Sequence, residues 1–124
     1  MNVEKRLKMI LLANTPLTRE LGLMCRQPLE KNQCAFFDFK KKGKYSFWNK
    51  NVEFPISLLF CDENFSIKHI GYLKENQLES ISSNSSDIRY VVEAHSNLPL
   101  EWNLKIGDKI SIQEHEVLFN GTNS

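Results

Sequence analysis

The chain has few of the residues that usually announce a function. Cysteine occurs only at Cys25, Cys34 and Cys61, an odd number with no Cys-x-x-Cys pair. That excludes a disulfide framework and a paired-cysteine zinc site, and predicts reduced, buried thiols. Cys34 and Cys61 lie within apolar segments, where burial makes a thiol inert. The three histidines, His69, His95 and His115, show no paired ligand spacing, so neither a metal nor another cofactor is expected. His115 stands between Glu114 and Glu116 and reads as part of a solvated tail. Apolar runs reach only about five residues, too short to span a bilayer. The formal net charge is +1, so no global field draws in nucleic acid or an anionic membrane. No phosphate loop, Gly-x-Ser-x-Gly elbow or Ser-His-Asp order occurs. The opening Met-Asn-Val-Glu-Lys-Arg lacks the apolar segment of a signal peptide, and a soluble, cytoplasmic protein is expected.

What the chain does have is centred on Tyr45 to Phe60. This stretch carries Trp48, one of two tryptophans, three of the eight phenylalanines and Pro55. Its alternation predicts a strand with Tyr45, Phe47, Asn49 and Asn51 on one face and Ser46, Trp48, Lys50 and Val52 on the other. Trp48 is expected in the core. Asn49-Lys50-Asn51 falls at a bend, where short amide side chains bond the local backbone. Pro55 suits the start of a second strand, Ile56 to Phe60.

The 124 residues predict a single domain over 1–124, with a core of about 8–112 and a tail over 113–124. Lys8 to Ala13 reads as a strand. Thr15 is a good N-cap and Pro16 suits the first helical position; Leu17, Leu21 and Met24 then form one apolar stripe. Gly22 ends that helix or lets its last turn pack closely. Cys34 to Phe39 reads as a strand with Ala35, Phe37 and Phe39 on one face and Cys34, Phe36 and Asp38 on the other. Lys40-Lys41-Lys42-Gly43-Lys44 is expected to be an exposed hairpin turn. Without aromatic interleaving it gives no nucleic-acid site. Asp62-Glu63-Asn64 turns the chain into a returning strand, Phe65 to Tyr72, which closes a hairpin. Leu73 to Ser86 is a long polar loop, with a strand around Leu78 to Ile81. Ile88 to Ala94 is another strand, Pro99 to Leu104 a short helix, and Lys109 to Ile112 a late strand. Val117 to Phe119 is expected to add an edge strand before Gly121 to Ser124 frays. The fold class is therefore mainly β: a single antiparallel β-sandwich or barrel-like domain with one or two short helices.

Three segments resemble a known family. They are Thr15-Pro16 with Gly22-Leu23-Met24-Cys25-Arg26; Phe37-Asp38-Phe39 with Phe47-Trp48-Asn49-Lys50-Asn51 and Pro55; and Tyr90-Val91-Val92-Glu93-Ala94 with Ile106-Gly107-Asp108. Their order and spacing resemble the family catalogued as domain of unknown function 192, with its Gly-Leu-Met-x-Arg and Phe-Trp-Met-Lys-Asn motifs. The resemblance implies a β-rich, sandwich-like domain with small helices and brings no established activity. Asn49 stands where the family usually has Met, and Ser57 where it usually has Asp.

The polar positions matching the family motifs are Arg26, Trp48, Lys50, Asn51 and Glu93. An Arg26–Glu93 ion pair would pin the helix end to a late strand. Alternatively, Arg26 and Lys50 bind a small anionic or sugar-like ligand against Trp48. The reading that fits best is a non-enzymatic binding or interaction module. Two alternatives are an accessory structural protein docking onto a larger assembly through its edges or on a protein partner, and a hydrolase or carbohydrate-active enzyme using Lys50, Asp62 and Glu93.

Overall fold

The computed structural model describes residues 5–119. Among these residues nine strands and two short helices follow one another: β1 Lys5–Ala13, α1 Pro16–Leu21, β2 Gln33–Gly43, β3 Ser46–Phe47, β4 Ile56–Asp62, β5 Ile67–Leu73, β6 Ile81–Ser82, β7 Ile88–His95, α2 Leu98–Glu101, β8 Ile110–Gln113 and β9 Glu116–Phe119. Seven strands form one sheet in the order β5-β4-β7-β2-β1-β9-β8, and β3 and β6 pair separately. The protein is thus mainly β and barrel-like, as its alternation predicts. All pairs among the described strands are antiparallel except β1 with β2. That parallel pair needs a crossover, and α1 lies within it.

The sheet curls until its two edges meet. Ser66, just before β5, bridges to Lys109, just before β8. Ile67 N donates to Asp108 O at 2.9 Å and Ile110 N to Phe65 O at 3.0 Å. Strand alternation then separates two apolar layers. The inner layer draws on all seven strands, including Leu7, Phe36, Leu59, Ile67, Val92, Ile110 and Val117, and Leu98 of α2 plugs it. The outer layer holds Ala35, Phe37, Leu58, Phe60 and Val91, covered by Leu23, Leu29, Val52 and Phe54 from the connections. The two faces expected for β2 are the two observed.

Several local expectations are corrected. Thr15 caps α1, since its Oγ1 accepts from Thr18 N at 3.1 Å, and Gly22 closes the helix at φ 49°. Leu17 and Leu21 are nevertheless 63% and 51% exposed. The apolar stripe does not hold this helix down; Arg19 does, donating to Asp38 O at 3.1 Å with its guanidinium over the Phe39 ring at 5.6 Å. Lys40 to Lys42 extend β2 beyond a register shift instead of forming a turn. β9 is not an edge, because β1 and β8 flank it. Gly121 to Ser124 lies outside the described residues.

Candidate functional site

The organising stretch forms less strand than its alternation predicts. After the two residues of β3 the chain leaves the β6 partner. Phe47 and Asn49 still face inward and Trp48 and Lys50 outward, as alternation requires. Trp48 is 46% exposed, which corrects its expected core position. With no sheet stacked on its side of β3, an outward ring meets solvent.

Asn49 holds this turn in place. It is buried, and its Nδ2 donates to Phe54 O at 3.0 Å and to Lys74 O at 2.9 Å. Asn49 N donates to Gln77 O at 2.8 Å and Asn76 N to Val52 O at 2.8 Å. The polar loop after β5 therefore anchors the turn, and the amide at position 49 has the local bonding role its residue type suggests. Lys50 projects from it with Nζ 5.4 Å from the Trp48 ring centroid, a cation–π contact.

Beneath the turn lies Glu93, at the middle of the central strand β7. Its register partners are Ala35 on β2 and Leu58 on β4, so it sits in the outer apolar layer. It is 4% exposed. Its carboxyl makes no hydrogen bond or ion pair with any described residue. It opens instead into a cavity of about 210 Å³ lined by Glu93, Phe37, Phe39, Phe47, Trp48, Asn49, Lys50, Val52 and the α1 end from Arg19 to Met24. Loss of water pushes the carboxyl up to about 8, because burial penalises the charged form. At neutral pH the floor of the cavity is therefore mostly an uncharged acid, while Arg19, Glu20 and Lys50 stand around it.

The aromatic wall is built by edge-to-face packing. The rings of Phe37 and Phe47 are 5.1 Å apart at 89°, and those of Phe39 and Phe47 5.9 Å apart at 86°. Such pairs contribute beyond simple burial.

Of the five sequence-predicted site residues, Trp48, Lys50 and Glu93 share this cavity. Arg26 and Asn51 do not. They line a second depression of about 410 Å³ with Cys25, Gln27, Glu53 and Asn76. The expected Arg26–Glu93 pair is absent: Arg26 is exposed, and no ion pair joins it to a described residue. The turn after α1 carries it to the outside, while Glu93 stays inside the layer. Cys25 corrects the expectation of three buried thiols, being exposed in that same turn at φ 58°. Cys34 and Cys61 are buried, and burial pushes the Cys34 thiol up to about 12 and the Cys61 thiol higher still.

The proposed enzyme trio does not assemble. Asp62 Oδ1 accepts from Asn64 N at 2.9 Å and Ser66 N at 3.0 Å, which ties it to the β4–β5 turn away from the cavity lining. Ser57, at the family's Asp position, faces the other side of the sheet from Glu93, with Oγ 3.0 Å from His95 O. An acid there would not line the cavity. Sequence reasoning missed Arg19, Phe37, Phe39 and Phe47 as lining residues; the aromatics read simply as core. Among the described residues, no cluster of three or more His, Cys, Asp or Glu could hold a metal, and no helix is long and apolar enough to cross a membrane.

Comparison with known proteins supports the architecture. A Sinorhizobium meliloti protein, described as a candidate transcription regulator, is similar at TM-score 0.76 and 24% identity, over 86% of this chain and 92% of that one. A protein of unknown function from Novosphingobium aromaticivorans is similar at TM-score 0.77 and 22% identity, over 82% of this chain and 72% of that one. Such likenesses speak for a shared fold. Among curated proteins none matches. The model of domain of unknown function 192, described as "Uncharacterized ACR, COG1430", matches residues 2–112. With the Phe-Trp-x-Lys-Asn turn set over the Glu93 strand, the chain belongs to the family of domain of unknown function 192.

Proposed function

We propose that this domain is a small-ligand-binding module whose ligand is a hydroxylated, sugar-like ring, with any anionic substituent held at the lip of the cavity. The observation that carries the reading is Glu93, a residue inside the apolar layer whose carboxyl has no partner among the described residues and opens into a cavity. No fully enclosed side-chain polar atom among the described residues lacks a partner, so the Glu93 oxygens are reached from the cavity, where a ligand can bond them. An uncharged carboxyl both donates and accepts, which suits neighbouring hydroxyls better than a bare charge. Trp48 and Phe47 offer apolar surface for the ring face. Lys50 has no carboxylate partner among the described residues and stands ready for a ligand anion. At about 210 Å³ the cavity falls below the roughly 300–1,000 Å³ of sites for drug-sized ligands, which favours a single ring over a chain.

Calorimetric titration with glucose, glucuronate and glucose 6-phosphate tests this. Saturable binding is expected, tighter for the two charged sugars, weakened by Lys50→Ala and Trp48→Ala, and abolished by Glu93→Leu. Absence of saturable binding by all three, or binding indifferent to Glu93→Leu, would overturn it.

The edge-docking alternative has less support. The edges of β5 and β8 meet each other at Ser66 and Lys109, which shortens the free strand edge that docking would use.

A further inference from the structure

We propose that the cavity also does chemistry on what it binds: Glu93 takes a proton from the carbon acid of a small, flat substrate, and Lys50 at the lip receives the negative charge that develops. This goes beyond binding. It rests on the cavity being the ligand site, though not on the ligand being a sugar.

Placement favours Glu93 as a base. Structural carboxyls inside proteins are paired or hydrogen-bonded, and Glu93 is neither with any described residue. It sits rigidly at mid-strand between Ala35 and Leu58, aimed at space bounded by Phe37, Phe39, Phe47 and Trp48. A flat ring entering there lies against aromatic walls, with an edge toward the carboxyl. The groups present narrow the chemistry. The lining includes no thiol, no histidine and no second buried carboxyl, so the chemistry it supports is single-base proton transfer. A carboxylate set among apolar side chains is a stronger base than one in solution, and a group titrating near the working pH serves as base in one direction and acid in the other. Removing a proton from carbon leaves an anion, which a nearby cation stabilises. Arg19 is already bonded to Asp38 O. Lys50 has no ion-pair partner among the described residues and lies over the Trp48 ring, and its flexible stem lets it follow the charge.

The charged groups around Glu93 come from two elements. α1 brings Arg19 and Glu20, and the turn after β3 brings Lys50; the β2 and β4 neighbours at Ala35 and Leu58 are apolar. None forms an ion pair with Glu93.

The probe is 5-nitrobenzisoxazole. The Glu93 carboxylate takes the proton from its C3, and the C–H electron pair becomes part of the new nitrile. The N–O bond breaks, and its pair leaves on the phenolate oxygen. Glu93 then releases its proton to solvent. The step is redox-neutral and needs no co-reactant. Initial rates of coloured 2-cyano-4-nitrophenolate formation are measured for the parent, Glu93→Gln, Glu93→Asp and Lys50→Met. Binding of the unreactive analogue 5-nitrobenzotriazole is followed by tryptophan fluorescence. The parent should show saturable elimination that Glu93→Gln lowers about 10²–10⁴-fold, the usual worth of a positioned base. Its rate should rise with pH to a plateau as Glu93 ionises. Glu93→Asp should retain analogue binding at a reduced rate, and Lys50→Met should lower kcat. Analogue binding with elimination equal in parent and Glu93→Gln would overturn proton transfer and leave the ligand cavity standing. Neither analogue binding nor Glu93-dependent elimination would overturn the proton-transfer reading, and the sugar titrations then decide the ligand cavity by themselves.

Discussion

Replacing Glu93 by glutamine should flatten the dependence of stability on pH. Burial moves this carboxyl from an ordinary 4.5 to about 8 in the folded chain. Between those values the folded state holds a proton that the unfolded state has released. Stability from this group is therefore fully present below about 4.5, falls as pH rises, and is lost above about 8. The gap of about 3.5 pH units, at about 1.36 kcal/mol each, gives up to about 4–5 kcal/mol. That is a large part of a typical 5–15 kcal/mol total. It is an upper figure, because water entering the cavity solvates part of the charge. Glutamine keeps the shape and cannot ionise. Urea melts should find the two proteins within about 1 kcal/mol of each other at pH 5, and the variant more stable by several kcal/mol at pH 9. Parallel losses in parent and variant across that range would refute the reasoning, since the pH dependence would then arise elsewhere.

Three further outcomes follow from the same geometry. Trp48→Ala should cost less than about 1 kcal/mol in a denaturant melt, as for exposed positions generally, because the ring is about half exposed; a loss of 3 kcal/mol or more, on the scale of a core aromatic, would return Trp48 to the core. Thiol titration of the native protein should find Cys25 reactive and Cys34 and Cys61 silent, since only Cys25 is exposed; fast reaction of all three without denaturant would contradict the burial. Asn49→Ala should cost about 2–4 kcal/mol, as the carbonyls of Phe54 and Lys74 lose their donor, and should weaken ligand binding by loosening the turn that carries Trp48 and Lys50; a neutral melt would show that water replaces the amide.

The strands were largely legible because period-two alternation is written into β2, β4 and β7, and the two layers obey it. The parallel β1–β2 pair was recoverable in principle, since a strand–helix–strand run supplies the crossover such a pair requires. The site was harder to read. Glu93 interrupts the apolar run Val91-Val92-Glu93-Ala94 on the face of Val91, and that lone charge inside a central strand was its signal. Its sequence-level partner was wrong because turn geometry decides where Arg26 goes: Cys25, with φ 58°, throws the chain outward. Trp48 was misplaced because alternation tells which residues share a face, but not whether another layer covers that face. Leu17 and Leu21 show the same gap. Their spacing fits a buried stripe, yet a six-residue helix capped by Thr15 and tethered by Arg19 leaves them in solvent.

Ligand binding and proton transfer in this cavity both depend on the state of one carboxyl. The most direct test follows the Glu93 side-chain carboxyl ¹³C resonance as a function of pH, in the free protein and with saturating glucuronate. The account predicts a midpoint near 8 in the free protein and a displaced midpoint when the ligand is bound. A midpoint near the ordinary 4.5, unmoved by ligand, would contradict it.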